Sequence, residues 1–424
     1  MGNDSTLKHG DSRAFTERVE IERFGPKTQA IFDHLTSRVI GQERAAEHVA
    51  RRFSIYYSGL GDGRRPIGSF IFSGPTGVGK TLMAEELARC LVADQPHAPL
   101  IRIQCGKYKE SHRVSELIGS PPGYVQSDKP GMLSQMKIDE PHFWVKARPF
   151  LEKRFRDRDP KKLEDVLANF YQEYRPYLSV ILFDEVEKAH NDLWNLLLHI
   201  IDDGELTMAN GEITDFRNSV VILTCNVGGR RQQELLAGKS HQMGFGTPES
   251  DISQNADLLD QRIYGDTVKL IEERFAPELV GRLRSEIIIF RTLDYSSRLK
   301  VLELMLSLEQ EKVSGRRGTT APPMLLHFSE EFKAFLLQEG SNRLYGLRPL
   351  RDVVHKRVTL PLSTSIECGA LEHGDEVLFT MEGSEPAIYR KPHPEPREAG
   401  RANVYQRPAQ AVHSAGSPDD EEQE

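Results

Sequence analysis

The chain has 424 residues, 38% of them apolar and 28% charged, with a formal net charge of −8. That length exceeds what one compact core usually holds, so two folded units with polar extensions are expected. The acidic balance argues against a polyanion as the main partner, so no nucleic acid is expected. Nothing approaches the roughly 18 consecutive apolar residues of a membrane span, and the first residues lack the apolar core of a secretory signal, so no membrane partner is expected. Cys90, Cys105, Cys225 and Cys368 lie far apart with no C-x-x-C pair, which points to free thiols in a reducing cytoplasm rather than to a zinc site or a disulfide framework.

In chain order, residues 1–25 read as a flexible extension. Ile67 to Phe72, Leu100 to Cys105, Leu178 to Phe183, Ser219 to Cys225 and Glu286 to Phe290 are short runs of branched apolar residues that end in polar or glycine-containing loops, the signature of buried parallel strands. Between them, Ala84, Leu87, Ala88 and Leu91, and then Leu193, Leu196, Leu197 and Ile200, recur at helical spacing. Strand alternating with helix gives an α/β fold, a five-stranded parallel sheet with helices on both faces, over residues 26–290. An aromatic, charged stretch at 136–174 interrupts it with helical patterning, either as a partner platform or as a decorating hairpin. Residues 291–383 form a smaller, mostly helical domain. Leu299, Leu302 and Leu306 share one face, Phe332, Leu336 and Leu337 another, a third helix lies near Leu347 to Ile366, and Glu376 to Met381 reads as an edge strand. Residues 384–424, rich in Pro, Arg, Ala and Ser and ending in acids, bury too little apolar surface to order.

Chemistry enters at Gly74, Pro75, Thr76, Gly77, Val78 and Gly79, with Lys80, Thr81 and Leu82 opening the following helix. The run fits G-x-x-x-x-G-K-[ST] between a strand and an amphipathic helix, where backbone N–H groups and the helix terminus receive phosphate oxygens. Lys80 would reach the terminal phosphates of ATP, and Thr81 would hold Mg²⁺. The third strand ends in Asp184 and Glu185, at the carboxyl edge where open α/β sheets bind ligands. Asp184 would complete the Mg²⁺ shell and Glu185 would act as general base on water. An acid in that place suits hydrolysis better than transfer to an acceptor hydroxyl. Asn226, closing the fourth strand, would lie beside Glu185 and orient the water, or simply form a turn before Gly228 and Gly229.

These residues, with Pro66 to Phe70, Leu117 to Val125, Phe183 to His190, Asp202 to Leu206, Asp215 to Asn218 and Tyr345 to Leu350, closely resemble the Clp AAA+ ATPases, in particular the second ATPase domain of ClpA, ClpB and ClpC. The likeness runs from about Val39 to Phe379. It implies that Val39 and Ile40 pack on adenine, that Asn226 senses the γ-phosphate, and that Arg282 is a finger reaching a neighbouring subunit's site, with Arg284 as the alternative. Arg348 would contact bound nucleotide in cis. A finger supplied in trans requires a closed ring, and the family forms hexamers. Gly123, Tyr124 and Val125 would line the axial channel and grip unfolded or tagged protein substrates, although Gln126 stands where the family has glycine. Met243, Gly244 and Phe245 resemble the tripeptide that docks on a ClpP-type peptidase. With no second ATPase domain ahead of Val39, a single-ring layout like that of ClpX is expected. The expected activity is ATP-driven unfolding or remodelling of proteins, in a protease or as a stand-alone chaperone. A nucleotide-gated scaffold is the competing reading.

Overall fold

The computed structural model describes residues 23–91, 100–120, 130–141, 178–236, 256–314, 324–340, 347–372 and 374–391. Helices α1 (Pro26–Arg38) and α2 (Glu43–Tyr57) precede β1 (Gly68–Ser73), α3 (Lys80–Leu91), β2 (Leu100–Gln104) and α4 (Ser111–Ile118). Next come β3 (Ser179–Asp184), α5 (Asn191–Asp203), the short hairpin β4 (Glu205–Thr207) and β5 (Ile213–Asp215), and β6 (Ser219–Cys225). Helices α6 (Gly229–Leu236), α7 (Ala256–Arg274) and α8 (Pro277–Leu283) then lead to β7 (Ile287–Ile289).

The order β2-β3-β6-β1-β7 makes one parallel sheet of five strands, as the apolar runs require. Alternation assigns its two faces. Ile71, Ile181, Phe183, Val221 and Leu223 point into a core shared with α4, α5, α7 and α8. Phe70, Phe72, Val180, Leu182, Val220 and Ile222 point the other way, into a core shared with α1, α2 and α3. Each such side chain, withdrawn from water, contributes about 1.5–3 kcal/mol, which is why these strands carry almost no polar residue. The first part of the 136–174 stretch belongs to this body: Ile138 is buried in the first core, and Ser179 Oγ donates to its carbonyl at 3.0 Å. Residues 142–174 of that stretch lie outside the described residues.

Beyond β7, helix α9 (Tyr295–Ser314), β8 (Leu325–Phe328), α10 (Glu330–Gly340), α11 (Arg348–Val354), α12 (Leu360–Glu367), β9 (Glu376–Glu382) and β10 (Glu385–Lys391) gather around a separate core that includes Leu302, Leu306, Phe332, Leu336, Leu350 and Phe379. One expectation changes here. The strand read as an edge is the middle of a three-stranded sheet, β10-β9-β8, parallel to β8 and antiparallel to β10. Its partners escape a pattern search because β8 and β10 have scarcely any fully buried position and so little apolar alternation. Helices α11 and α12 are continuous through a π-helical turn at His355–Thr359. Among the described residues all four cysteines are free, with Cys105 and Cys225 buried and Cys368 exposed, and no helix is long and apolar enough to cross a membrane.

A half-buried ion pair ties the first helical layer to the end of the sheet. Glu286, just ahead of β7, accepts hydrogen bonds from Arg52 Nη2 and, at 3.3 Å, from His48 Nε2, both on α2. Burial works to raise its pKa, but these bonds and the Arg52 charge outweigh it and hold the group down at about 2, against 4.5 for a free glutamate. A depressed carboxyl stabilises the fold above its unfolded value and loses that contribution as pH falls through its folded one. Glu286→Gln should therefore lower unfolding free energy at neutral pH by about 2–3 kcal/mol. In denaturant titrations the gap to the parent should close between pH 4.5 and about 2. A gap that stays constant over that window would contradict the assignment.

Candidate functional site

Parallel pairing puts the carboxyl ends of β1, β3 and β6 at one rim, with β6 between the other two. The turn leaving β1 cannot carry side chains freely. Gly74 has φ 150°, and a Cβ there would lie 2.6 Å from the Phe290 carbonyl oxygen. Gly79 has φ 103°, and its Cβ would lie 3.0 Å from Val39 Cγ1. The second approach brings the Val39 segment against the loop, with Val39 buried and Ile40 half-buried. Gln42 fixes this junction. Its Nε2 donates to the Val78 and Arg291 carbonyls at 3.1 and 2.9 Å, and its Oε1 accepts from Arg291 N at 3.1 Å.

Lys80 lies at the centre. It is 8% exposed, and its Nζ donates to Gly74 O at 2.7 Å, Pro75 O at 2.7 Å and Asn226 Oδ1 at 2.9 Å. An ammonium has three donors, and here all three are filled by oxygens. Burial pushes its pKa down to about 8, so it is a charge that a bound anion would stabilise. Next to it, Thr81 Oγ1 donates to Asp184 Oδ1 at 3.5 Å, while Leu82 is exposed on the next position of the helix.

The carboxylates of β3 are held by neighbours that motif reading passes over. Asp184 Oδ1 accepts from Thr224 Oγ1 at 2.6 Å, and Asp184 Oδ2 accepts from Arg102 Nη2 at 2.5 Å. The same Thr224 hydroxyl accepts from Glu185 N at 3.0 Å, so β6 grips the end of β3 through one side chain. Glu185 adopts the left-handed conformation, φ 58°, alone among the described non-glycine residues. It then starts a tight turn, Val186–Lys188, and its carboxylate accepts from Lys188 Nζ at 2.7 Å. Asn226 consequently meets a different acid from the one expected. The turn presents Glu187, whose Oε1 accepts from Asn226 N at 3.2 Å and from Asn226 Nδ2 at 3.3 Å. Burial raises the Glu187 pKa.

Arg282, Arg284 and Arg348 are not gathered at this rim. Arg282, on α8, is 51% exposed, and its Nε pairs with Asp202 Oδ2 at 3.2 Å; Arg284 pairs with Glu272 at 3.4 Å. Arg348 begins α11 and is exposed, and among the described residues no hydrogen bond or ion pair joins it to the loop. Gly123, Tyr124 and Val125, and Met243, Gly244 and Phe245, lie outside the described residues.

Taken together, the rim offers a glycine cradle, a buried ammonium and, beside it, a hydroxyl and a carboxylate close enough to share a hard cation, all oxygen donors. Such a set fits a polyphosphate with a divalent ion. Comparison with known proteins supports the nucleotide part of this reading. An AAA domain (Cdc48 subfamily) matches residues 65–145 and 166–286, and the C-terminal, D2-small domain of ClpB protein matches residues 299–379. The chain is 35% identical over 342 residues to the chaperone protein ClpB of Meiothermus ruber, covering 81% of this chain and 33% of that protein. It is 34% identical over 351 residues to the negative regulator of genetic competence ClpC/MecB of Bacillus subtilis (strain 168), 83% of this chain and 36% of that one. To the ATP-dependent Clp protease ATP-binding subunit ClpA homolog of Pyropia yezoensis it is 33% identical over 347 residues, 82% and 36% respectively. The chain thus spans about a third of the length of these relatives.

Lys80→Met keeps the stem and removes the buried charge. It should lower affinity for a nucleoside triphosphate on the order of 10²-fold, given that charge-assisted hydrogen bonds contribute about 1.5–3 kcal/mol. The unfolding temperature should change by no more than a few degrees, because relief from burying the ammonium offsets the donors that Gly74 O, Pro75 O and Asn226 Oδ1 lose. Titration with a fluorescent nucleotide, alongside thermal unfolding, reads both. Undiminished affinity would remove Lys80 from the phosphate site.

Proposed function

We propose, from the premise that this chain belongs to the Clp family of AAA+ ATPases, that it hydrolyses ATP and uses turnover to remodel protein substrates in a hexameric ring. The observation that supports this best is the buried Lys80 ammonium, which joins the phosphate loop to Asn226 at the rim that also holds Asp184 and Glu185. In this reading Gly74 to Leu82 surround the phosphates, Val39 and Ile40 pack on adenine, and Lys80 exchanges its loop carbonyls for phosphate oxygens. Thr81 and Asp184 hold Mg²⁺, which supplies charge neutralisation at the phosphates when bound. Arg102 then gives up Asp184 Oδ2. Glu185 takes the proton of the attacking water, with Asn226 and Arg348 as further contacts. Arg282 leaves Asp202 for the neighbouring subunit's site, where it stabilises charge developing on the transferred phosphoryl group.

Relatives carry both chaperone and protease-subunit names, so remodelling alone and delivery to a ClpP-type peptidase through Met243, Gly244 and Phe245 both suit the family. Gly123, Tyr124 and Val125 would grip the substrate. The free thiols suit a reducing cytoplasm.

Steady-state ATPase assays should show turnover that an unfolded protein stimulates and duplex DNA does not. Glu185→Gln should bind ATP like the parent and lose turnover by about 10²–10⁴-fold, the usual share of a general base. Normal hydrolysis by that variant would remove Glu185 from the role. Stimulation by DNA alone would replace the protein-remodelling reading by a nucleic-acid motor.

Cooperation between subunits has its own test. Arg282→Ala should lose about 10³-fold or more, as for arginine fingers elsewhere. Mixed with Lys80→Ala chains it should regain turnover, because an intact finger then faces an intact phosphate loop. Mixed assemblies, verified by size, with no recovery would place Arg282 outside any neighbour's site.

A further inference from the structure

The turn after Glu185 contains an acid that none of the proposed catalytic roles uses. Glu187 lies on Val186–Lys188, its side chain turned back toward the sheet. Among the described residues its Oε2 is buried without a hydrogen-bond partner. Its Oε1 receives both the main-chain N–H and the Nδ2 of Asn226, and its main-chain carbonyl accepts from Arg274 Nη2 at 2.9 Å, at the end of α7 and just ahead of α8. Burying a carboxylate with one oxygen unsatisfied is unfavourable for the fold, and an apolar residue would pack there without that burden.

The amide of Asn226 has two ends that differ only in chemistry. One faces Lys80, which can only donate; the other faces Glu187, which, ionised, can only accept. Oδ1 must therefore point to the ammonium and Nδ2 to the carboxylate, and no other assignment satisfies both neighbours. In the empty loop Lys80 also holds Oδ1, but once Lys80 turns to phosphate oxygens only Glu187 holds Nδ2, and without it the amide would be free to rotate.

We propose that Glu187 is a positioning residue that locks the Asn226 side chain with its acceptor oxygen facing the phosphate site. The proposal rests on the ATPase reading and sharpens the role of Asn226. Held this way, Asn226 accepts hydrogen bonds at the site, from Lys80 in the empty loop and from a water hydrogen in the loaded one. Glu187 acts through Asn226 and touches neither substrate nor metal. Its attachment to Arg274 keeps this lock in register with the helix that carries Arg282.

The test is a reciprocal exchange in the full chain, read as kcat and KM for ATP with Mg²⁺ and as thermal unfolding. Glu187→Ala should lower kcat about 10²-fold, as small misplacements of a reacting group do, with KM within a few-fold of the parent and the unfolding temperature level or higher. Asn226→Asp keeps the acceptor toward Lys80 but sets two carboxylates against each other, and should also lose kcat. Combining it with Glu187→Gln restores a donor facing an acceptor, and should recover at least tenfold over Asn226→Asp alone. A Glu187→Ala chain with parental kcat, or an Asn226→Asp chain that Glu187→Gln does not improve, overturns the proposal. So does a rise in KM that matches the fall in kcat, which would mark Glu187 as part of general binding. A parent that binds ATP without hydrolysing it would instead defeat the functional reading. The lock is then read from unfolding midpoints, where the four chains of the Glu187→Gln and Asn226→Asp cycle should show coupling between contacting residues; additive shifts overturn it.

Discussion

A buried ammonium must be surrounded by oxygen, and the architecture of this protein meets that requirement at Lys80. Two of its three acceptors are carbonyls of the loop it belongs to, at Gly74 and Pro75, and the third comes from the next strand through Asn226. The loop can fold back so tightly only because Gly74 and Gly79 adopt positive φ where any Cβ would collide or press on a neighbour. The third acceptor is available only because β6 is inserted between β1 and β3. A sheet in sequence order would set β2 beside β1 and leave the ammonium short of a partner. The crossover is thus as necessary to the charge as the glycines are.

The same loop is mechanically tied to the segment beyond the sheet. Gln42 is 3% exposed and joins the Val78 carbonyl to both main-chain groups of Arg291. Arg291 lies directly after Phe290, whose N–H donates to Ser73 O at 2.8 Å and whose carbonyl faces Gly74. A few residues later the chain enters α9, while Leu293 and Ser297 pack against Gly41. Buried amides with every polar atom satisfied transmit small displacements, because neither end can move without breaking a bond that water cannot replace. A ligand that draws Lys80 away from Gly74 therefore acts on a segment that is stapled, through one glutamine, to the entry of the second core.

Much of this is legible in the order of residues alone. Strand runs such as Val180 to Phe183 and Val220 to Leu223 are apolar on both faces, and only a sheet covered twice demands that. The phosphate loop is legible because glycine at fixed offsets has a steric reason that few other contexts share. Contact chemistry on residues with ordinary neighbours is not. Thr224, which bridges Asp184 and Glu185, reads as one more strand residue until β6 is known to lie beside β3. Glu187 reads as a solvated acid, since the pattern Glu185-Val186-Glu187 does not reveal that a left-handed residue reverses which carboxylate faces Asn226. Strands β8 and β10 escape for a different reason, because neither has a fully buried position and β8 is only four residues long, too short for its alternation to stand out.

Several groups that the proposed reaction needs are, in this conformation, held by partners within the chain. Lys188 holds Glu185, Arg102 holds Asp184, and Asp202 holds Arg282. The three pairs differ from the Lys80 cluster in one decisive respect. Glu185, Lys188 and Arg282 are each 40% exposed or more, and Arg102 is 41% exposed, whereas Lys80 is 8% exposed. The Glu185–Lys188 pair is exposed on both sides and worth about 0–1 kcal/mol, whereas Asp184 and Asp202 are 14% and 24% exposed, so releasing Arg102 and Arg282 costs more and the interactions gained on binding decide the outcome. Lys80 is desolvated already and has no water to lose, so only its bonds to neutral oxygens of the loop and Asn226 oppose its attraction for a charged phosphate. The site thus combines a fixed, already desolvated charge at its centre with more exposed charges around it. In such an arrangement nucleotide fixes the centre first, and the surrounding groups can adjust to ligand, water and subunit contacts.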